Sequence, residues 1–153
     1  LFWESYKLLS DSMSEKIIFD WTNFYLNIKH KNKIKEKLLE FYKLKSQDYI
    51  KTRARELSIL NNLEFSQVKI TSAKTRWGSC TSKKNINFSF RLIMSPKQTI
   101  DYVIVHELSH LLEMNHSPKF WKNVDIFFQK LWHWNYKTHQ NWLKINWNKL
   151  MYV

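Results

Sequence analysis

Residues 103–121 are the part of this 153-residue chain that most restricts how it can fold. They read VIVHELSHLLEMNHSPKFW, an apolar run that also carries three histidines and two glutamates. An apolar run is expected in the core, where an imidazole or a carboxylate costs free energy unless it has a partner. A metal ion would supply that partner, so the stretch predicts a metal site. The alternative is a set of hydrogen-bonded core histidines.

His106 and His110 lie four residues apart, which places both imidazoles on one face of a helix. Glu107 leans toward the same side, where it can hold a water molecule at the metal. This is the H-E-x-x-H arrangement, with glutamate as the general base. Catalytic zinc takes three protein ligands and keeps one position open. His116 is the third candidate ligand, and one zinc ion per chain is expected.

The connection between His110 and His116 is predicted to be a tight turn. The helix should end at residues 114–115, where the asparagine can adopt the left-handed conformation that reverses the chain. Residues 117–118 then begin the next helix and fix the position of His116. Glu113, three residues after His110, either hydrogen-bonds a ligand imidazole or is solvated.

Two helices are predicted to begin with Ser-Pro, at residues 95–96 and 117–118, because serine caps a helix and proline fits its first turn. They should span 96–113 and 118–132. A last helix or extended tail is expected over residues 139–150. Three of its side chains are expected to pack on the body of the protein: Trp142, Ile145 and Trp147.

The first 60 residues are predicted to be helical. Residues 1–28 are rich in aromatics and should form helical pieces. Residues 30–61 show apolar side chains at helical spacing and predict a long amphipathic helix, with a break near Ser46.

Alternating residues in VKIT (68–71) and NINFSF (85–90) predict strands of a small antiparallel sheet. SKKN at 82–85 should be a hairpin turn. Gly78 is the only glycine in the chain, which indicates a bulge or a close backbone approach there.

The composition favours one globular domain with an excess of positive charge. The formal net charge of +12 favours nucleic acid, a nucleotide or another anionic partner, or else a solubilising surface. Cys80 is the only cysteine, so no intrachain disulfide is expected and a cytoplasmic location is the simplest interpretation. No apolar run is long enough for a transmembrane helix, so no membrane contact is expected. The oligomeric state stays open.

Four segments together resemble the YgjP-like metal-dependent hydrolase family, which is grouped with SprT-like and other H-E-x-x-H zinc peptidases. These are TRWGSC (75–80), NINFSFRLIMSP (85–96), DYVIVHELSHLLEMNHSPKFW (101–121) and NYKTHQNWLK (135–144). The resemblance covers about residues 30–147. Residues 1–28 do not resemble the β-rich portion that many members carry there.

The resemblance implies a zincin-like α+β fold, with helices packed on a small sheet and the metal site on a central helix. It also implies that His106, His110 and His116 bind zinc and that Glu107 is the base. The predicted function is therefore a zinc metallopeptidase. Arg76 is a candidate for stabilising the oxyanion, or else a structural arginine at the sheet edge.

Strand 85–90 is expected to be exposed and to pair with an extended peptide substrate. Two other functions stay open. One is a zinc-dependent hydrolase of nucleotides or other phosphate substrates, which the positive charge would attract. The other is a basic nucleic-acid-binding module with a structural zinc, although such sites usually have four protein ligands.

Overall fold

The computed structural model describes residues 7–11, 16–20, 23–133 and 135–151. Helices pack against two small mixed sheets, which confirms the predicted α+β class. The elements are β1 (Lys7–Asp11), β2 (Ile18–Phe19), β3 (Asn23–Asn27), a 3-10 helix (Ile28–Lys33), α1 (Ile34–Leu60), β4 (Gln67–Thr71), β5 (Gly78–Cys80), β6 (Asn85–Ser89), a second 3-10 helix (Phe90–Met94), α2 (Lys97–Ser109), α3 (Pro118–Gln129) and α4 (Tyr136–Leu150).

The prediction of helical pieces over residues 1–28 is wrong, because the described part of this segment forms the first sheet. β3 is central in it, parallel to β1 and antiparallel to β2. Its sequence NFYLN alternates, so that Phe24 and Leu26 point inward and are buried. Strand periodicity outweighs the aromatic content that suggested helix.

The long helix predicted over residues 30–61 is present, as a 3-10 turn followed by α1. No break occurs at Ser46, which is buried in the middle of the helix. Its hydroxyl donates a hydrogen bond to the carbonyl oxygen of Lys43 at 2.8 Å, so the side chain is satisfied within the helix itself.

The second sheet is mixed, which corrects the antiparallel prediction. β6 pairs antiparallel with β5, through the predicted hairpin turn, and parallel with β4. Lys84 in that turn has φ 58°, and its N–H donates to the carbonyl oxygen of Thr81 at 2.8 Å. The central position of β6 also corrects the expectation of an exposed strand at 85–90, since both of its edges are already paired.

The α2 helix is shorter at both ends than predicted. Its first hydrogen bonds run from the N–H groups of Thr99 and Ile100 to the carbonyl oxygen of Pro96. Pro96 therefore occupies the capping position, and Ser95 does not cap the helix. In α3 the predicted start and cap are confirmed, because the hydroxyl of Ser117 accepts the N–H of Phe120 at 3.2 Å. The helix ends at Gln129, three residues before the predicted end at 132.

The last segment is a helix, α4, and not an extended tail. Trp147 is buried, and Trp142 packs against the core from a half-buried position. Ile145 is 61% exposed, so its predicted packing is wrong. Within the described ranges, no helix is both long and apolar enough to cross a membrane.

Candidate metal centre

Three histidines converge at the C-terminal end of α2. His106 lies in its last turn, His110 caps it, and His116 stands just before α3. One nitrogen of each ring belongs to a group of atoms that all lie within 4.8 Å of one another. The Nε2 atoms of His106 and His116 are 3.0 Å apart. The structure thus brings together the three residues that the sequence singled out.

The chain reaches His116 by a different route from the one predicted. α2 ends at Ser109, and successive turns then carry the chain forward, with the N–H of Glu113 donating to the carbonyl oxygen of Ser109. Asn115 is not left-handed, because positive φ among the described non-glycine residues occurs only at Asn62 and Lys84. Hydrogen-bonded turns replace the left-handed reversal.

The hydrogen bonds of the histidines leave nitrogen lone pairs for a cation. His110 Nδ1 lies 3.0 Å from the backbone carbonyl oxygen of Glu113. A carbonyl can only accept, so Nδ1 carries the hydrogen and Nε2 keeps its lone pair. The Glu113 carboxylate pairs with Lys119 at 2.8 Å, and among the described residues it forms no hydrogen bond with an imidazole. Glu113 therefore orients His110 through its main chain.

His106 is held in the neutral form that binds metals. Burial, followed by repulsion from His110 and His116, lowers the pKa of His106 to about 3 in the metal-free protein. Burial also lowers the pKa of His110. Neutral imidazoles are good ligands for zinc, and a cluster of three imidazole nitrogens fits such an ion.

Aromatic side chains from α3 surround the cluster. The ring of Phe120 is fully buried, with its centroid 4.9, 4.5 and 4.7 Å from those of His106, His110 and His116. Trp121 lies against His116 at 5.6 Å. The Ser117 cap fixes the start of α3 and so positions these rings.

Glu107 is buried beside the cluster with an unsatisfied oxygen. The residue is 5% exposed, and Oε2 has no hydrogen-bond partner among the described residues. Burial raises the pKa of its carboxyl group to about 8. A carboxylate in this position is costly unless a cation or a polar substrate lies next to it.

Gly78 makes room for the Glu107 side chain. A Cβ atom at residue 78 would lie 2.7 Å from both Cγ and Oε1 of Glu107. These distances are shorter than van der Waals contact, so even alanine would displace the carboxylate. The close approach expected at the only glycine is confirmed.

An open cavity of about 410 Å³ leads to His106 and Glu107. Its walls come from α2, from the segment leading into β5, and from α4. Arg76 lies exposed on this wall, so the structure places the predicted residue at the cleft without showing it in contact with Glu107. We call this cavity the metal-site cleft.

The contribution of α4 to the cleft was missed from the sequence. Four of its residues line the cavity: Leu143, Lys144, Trp147 and Asn148. The spacing of Leu143 and Trp147 by one helical turn was the available signal, but it indicated only a packed face.

Zincin-like metallopeptidases are the class of protein that combines this α+β fold with histidines on an H-E-x-x-H helix. The model of the YgjP-like metallopeptidase domain matches residues 4–146, and the chain belongs to that family. The match begins well before residue 30, so the first sheet is part of the family region. No curated protein sequence matches the chain significantly.

Two solved structures share the fold. The metallopeptidase zymogen abylysin of Pyrococcus abyssi has a TM-score of 0.54 at 17% identity, over 63% of this chain and 93% of its own. The metallopeptidase zymogen jannalysin of Methanocaldococcus jannaschii has a TM-score of 0.50 at 24% identity, over 63% of this chain and 92% of its own. At these identities the likeness establishes the fold alone.

Proposed function

We propose that the protein is a zinc-dependent peptidase in which His106, His110 and His116 bind one zinc ion and Glu107 is the general base. One observation carries this proposal. Among the described residues, three imidazoles converge beside a buried carboxylate with an unpaired oxygen, at the end of an open cleft. Neither the imidazoles nor the carboxylate has another evident role in the core.

The ligand count favours a catalytic ion over a structural one. The cluster found among the described residues has three members, and a structural zinc site is normally closed by four protein ligands. When bound, zinc would polarise a carbonyl group and lower the pKa of a water ligand toward about 7. The remaining chemistry belongs to residues of the chain.

Glu107 would move the proton. Glu107 directly follows His106, and its side chain lies against Gly78, so the carboxylate has little room to turn away from the cluster. It would accept the proton of the attacking water and deliver it to the leaving amine. A positioned acid–base group of this kind typically contributes a factor of about 10² to 10⁴ to the rate.

Arg76 is the proposed donor to the developing oxyanion. It is a permanent cation at the cleft, in the segment just before Gly78. A preorganised donor to an oxyanion is worth roughly 3 kcal/mol, a factor of about 100 in kcat. An Arg76→Lys variant keeps the charge and removes the fork of donors, and it should recover only part of the activity lost in Arg76→Ala.

An extended peptide would lie along β5. This strand pairs with β6 on one side, and its other edge is unpaired within the described residues. The edge begins at Gly78, directly beside Glu107, so a peptide added there as a further strand would pass the candidate metal centre.

The test compares the wild-type protein with Glu107→Gln on a mixture of unfolded proteins, with cleavage read by mass spectrometry. The wild type should cut peptide bonds. The variant should keep its zinc and lose at least about 100-fold in rate. Nucleoside triphosphates are assayed in parallel. Phosphate release by the wild type without peptide cleavage would rule out the peptidase assignment.

A further inference from the structure

The metal-site cleft is cationic apart from Glu107. Arg76 and Lys144 line it from opposite chain segments, and Glu107 is the one carboxylate among the described residues that line it. Within the described ranges, neither cation forms an ion pair with a carboxylate of the protein. Both charges are therefore available to a substrate in the cleft.

A tryptophan contact anchors the backbone segments that carry the two cations. Trp147 is buried, and its indole N–H donates to the carbonyl oxygen of Lys74 at 3.0 Å. Its ring packs edge-on against Trp77, with centroids 6.3 Å apart. Lys144 precedes Trp147 by about one helical turn, and Arg76 precedes Trp77 by one residue, so both backbones are anchored by the same contact.

A neutral side chain near the reacting bond forms no ion pair with these charges, whereas a carboxylate there gains two favourable interactions. It interacts favourably with the two cations, and the cations offset its repulsion from Glu107. Apart from Glu107, the described residues that line the cleft from the loop and α4 include no acidic side chain. The arrangement thus selects for anionic groups near the reacting bond.

We infer that Lys144 is a specificity-determining residue that makes the cleft prefer peptides with a carboxylate close to the scissile bond. The carboxylate is that of an aspartate or glutamate side chain, or that of the peptide C-terminus. This inference rests on the proposed peptidase function, because it assigns the substrate class of the same site.

The test measures binding apart from turnover. Zinc-loaded Glu107→Gln protein is titrated with three fluorescent peptides: one with a central glutamate, the same peptide with glutamine, and the glutamate peptide with an amidated C-terminus. If the glutamate side chain supplies the carboxylate, the first peptide should bind about fivefold more tightly than the second, the upper range for an exposed ion pair. If the C-terminus supplies it, the amidated peptide should bind about fivefold more weakly than the first. The amidated peptide shows whether the side chain or the terminus supplies the carboxylate.

Adding Lys144→Gln should lower the preference for the acidic peptide to about twofold, and Lys144→Glu should reverse it. The matched control is Lys137→Gln, on the same helix but outside the cleft lining. Residue 137 lies about two turns from residue 144, roughly 10 Å along the axis, which is a Debye length at 0.1 M salt. The control should leave the preference unchanged.

The outcomes separate the two proposals. Equal binding of all three peptides, or an equal effect of the two lysine variants, would overturn the role of Lys144 while leaving peptide cleavage by the wild type intact. An acidic preference without any cleavage by the wild type would keep the role of Lys144 and reject the reaction. Displacement of the peptide by a nucleoside triphosphate that binds more tightly would overturn the assignment to carboxylates.

Discussion

The two sheets of the molecule share one connectivity. In each, the third strand in chain order is central, parallel to the first strand and antiparallel to the second. Each sheet is followed by a 3-10 helix and then by an α-helix. The central strands β3 and β6 also have the same alternation of half-buried and buried residues along their five positions.

The sheets differ in how much apolar surface they bury. Phe24 and Leu26 of β3 belong to a small cluster with Ile17, covered on one side by α1. Ile86 and Phe88 of β6 are completely buried in the main core, which includes residues of all four helices. The first sheet therefore packs on a small separate cluster, whereas the second sheet belongs to the main core.

They also differ in what the following helix meets. α2 places Glu107 against Gly78 of β5, where the missing side chain creates a place for the carboxylate. The connectivity that the two sheets share therefore does not by itself create a functional site. The candidate site arises where a glycine and a polar helix face come together on a well-buried sheet.

Two substitutions should distinguish the main core from the small cluster under the first sheet. Phe88→Ala should lower the free energy of unfolding by about 4 kcal/mol, since it empties a fully buried site. Phe24→Ala should instead speed hydrogen exchange in β1–β3 and leave zinc binding unchanged, because its cluster is small and separate. Loss of zinc binding in folded Phe24→Ala protein would show that the small cluster is not separate from the metal centre.

The next effect concerns the ion pair that fixes α2 to α1. Arg53 donates two hydrogen bonds to the Asp101 carboxylate, at 2.8 and 2.9 Å, and the Trp132 indole donates a third at 3.0 Å. Asp101 is 1% exposed. Asp101→Asn should therefore lower the free energy of unfolding, measured in urea, by about 3 kcal/mol, because it leaves a partly buried guanidinium with weaker partners.

Glu56→Gln is the matched control for Asp101→Asn. It removes the other carboxylate that pairs with Arg53, at 2.9 Å, but that carboxylate is exposed. Its cost should stay below about 1 kcal/mol. Equal costs for the two variants would show that the buried pair has no special part in holding α2.

A further substitution tests the contact between β5 and α2, and its expected change in free energy is smaller than those of Phe88→Ala and Asp101→Asn. Gly78→Ala should lower kcat at least tenfold while zinc content and fold are kept, because its Cβ would move the Glu107 carboxylate. Ser79→Ala, in the same strand, should have little effect on kcat. Full activity in Gly78→Ala would show that Glu107 does not need its observed position.

Much of the candidate site could be predicted because its signals are local. The spacing of His106 and His110 is enough to place them on one helix face, and the Ser117 cap fixes the helix that follows. The parallel pairing of β4 could not be predicted, since it depends on the path of residues 72–77 and not on strand periodicity. Lys144 was missed because its place in the cleft depends on how Trp147 packs.

The strands of the first sheet were missed although a signal was present. NFYLN alternates, but five residues are too few to outweigh an aromatic-rich neighbourhood that also suits a helix. The partner strand β1, KLLSD, has no clear alternation. Its pairing with β3 is a tertiary feature that no short window of sequence contains.

Zinc content per chain, measured by elemental mass spectrometry, shows whether the three histidines form a metal centre. The wild type should hold one zinc ion, and His110→Ala should lose most of it. His133→Ala should hold one as well, because this exposed histidine lies outside the cluster. A folded wild type that takes up no zinc, or a His110→Ala variant that binds it as well as the wild type, would contradict the metal centre.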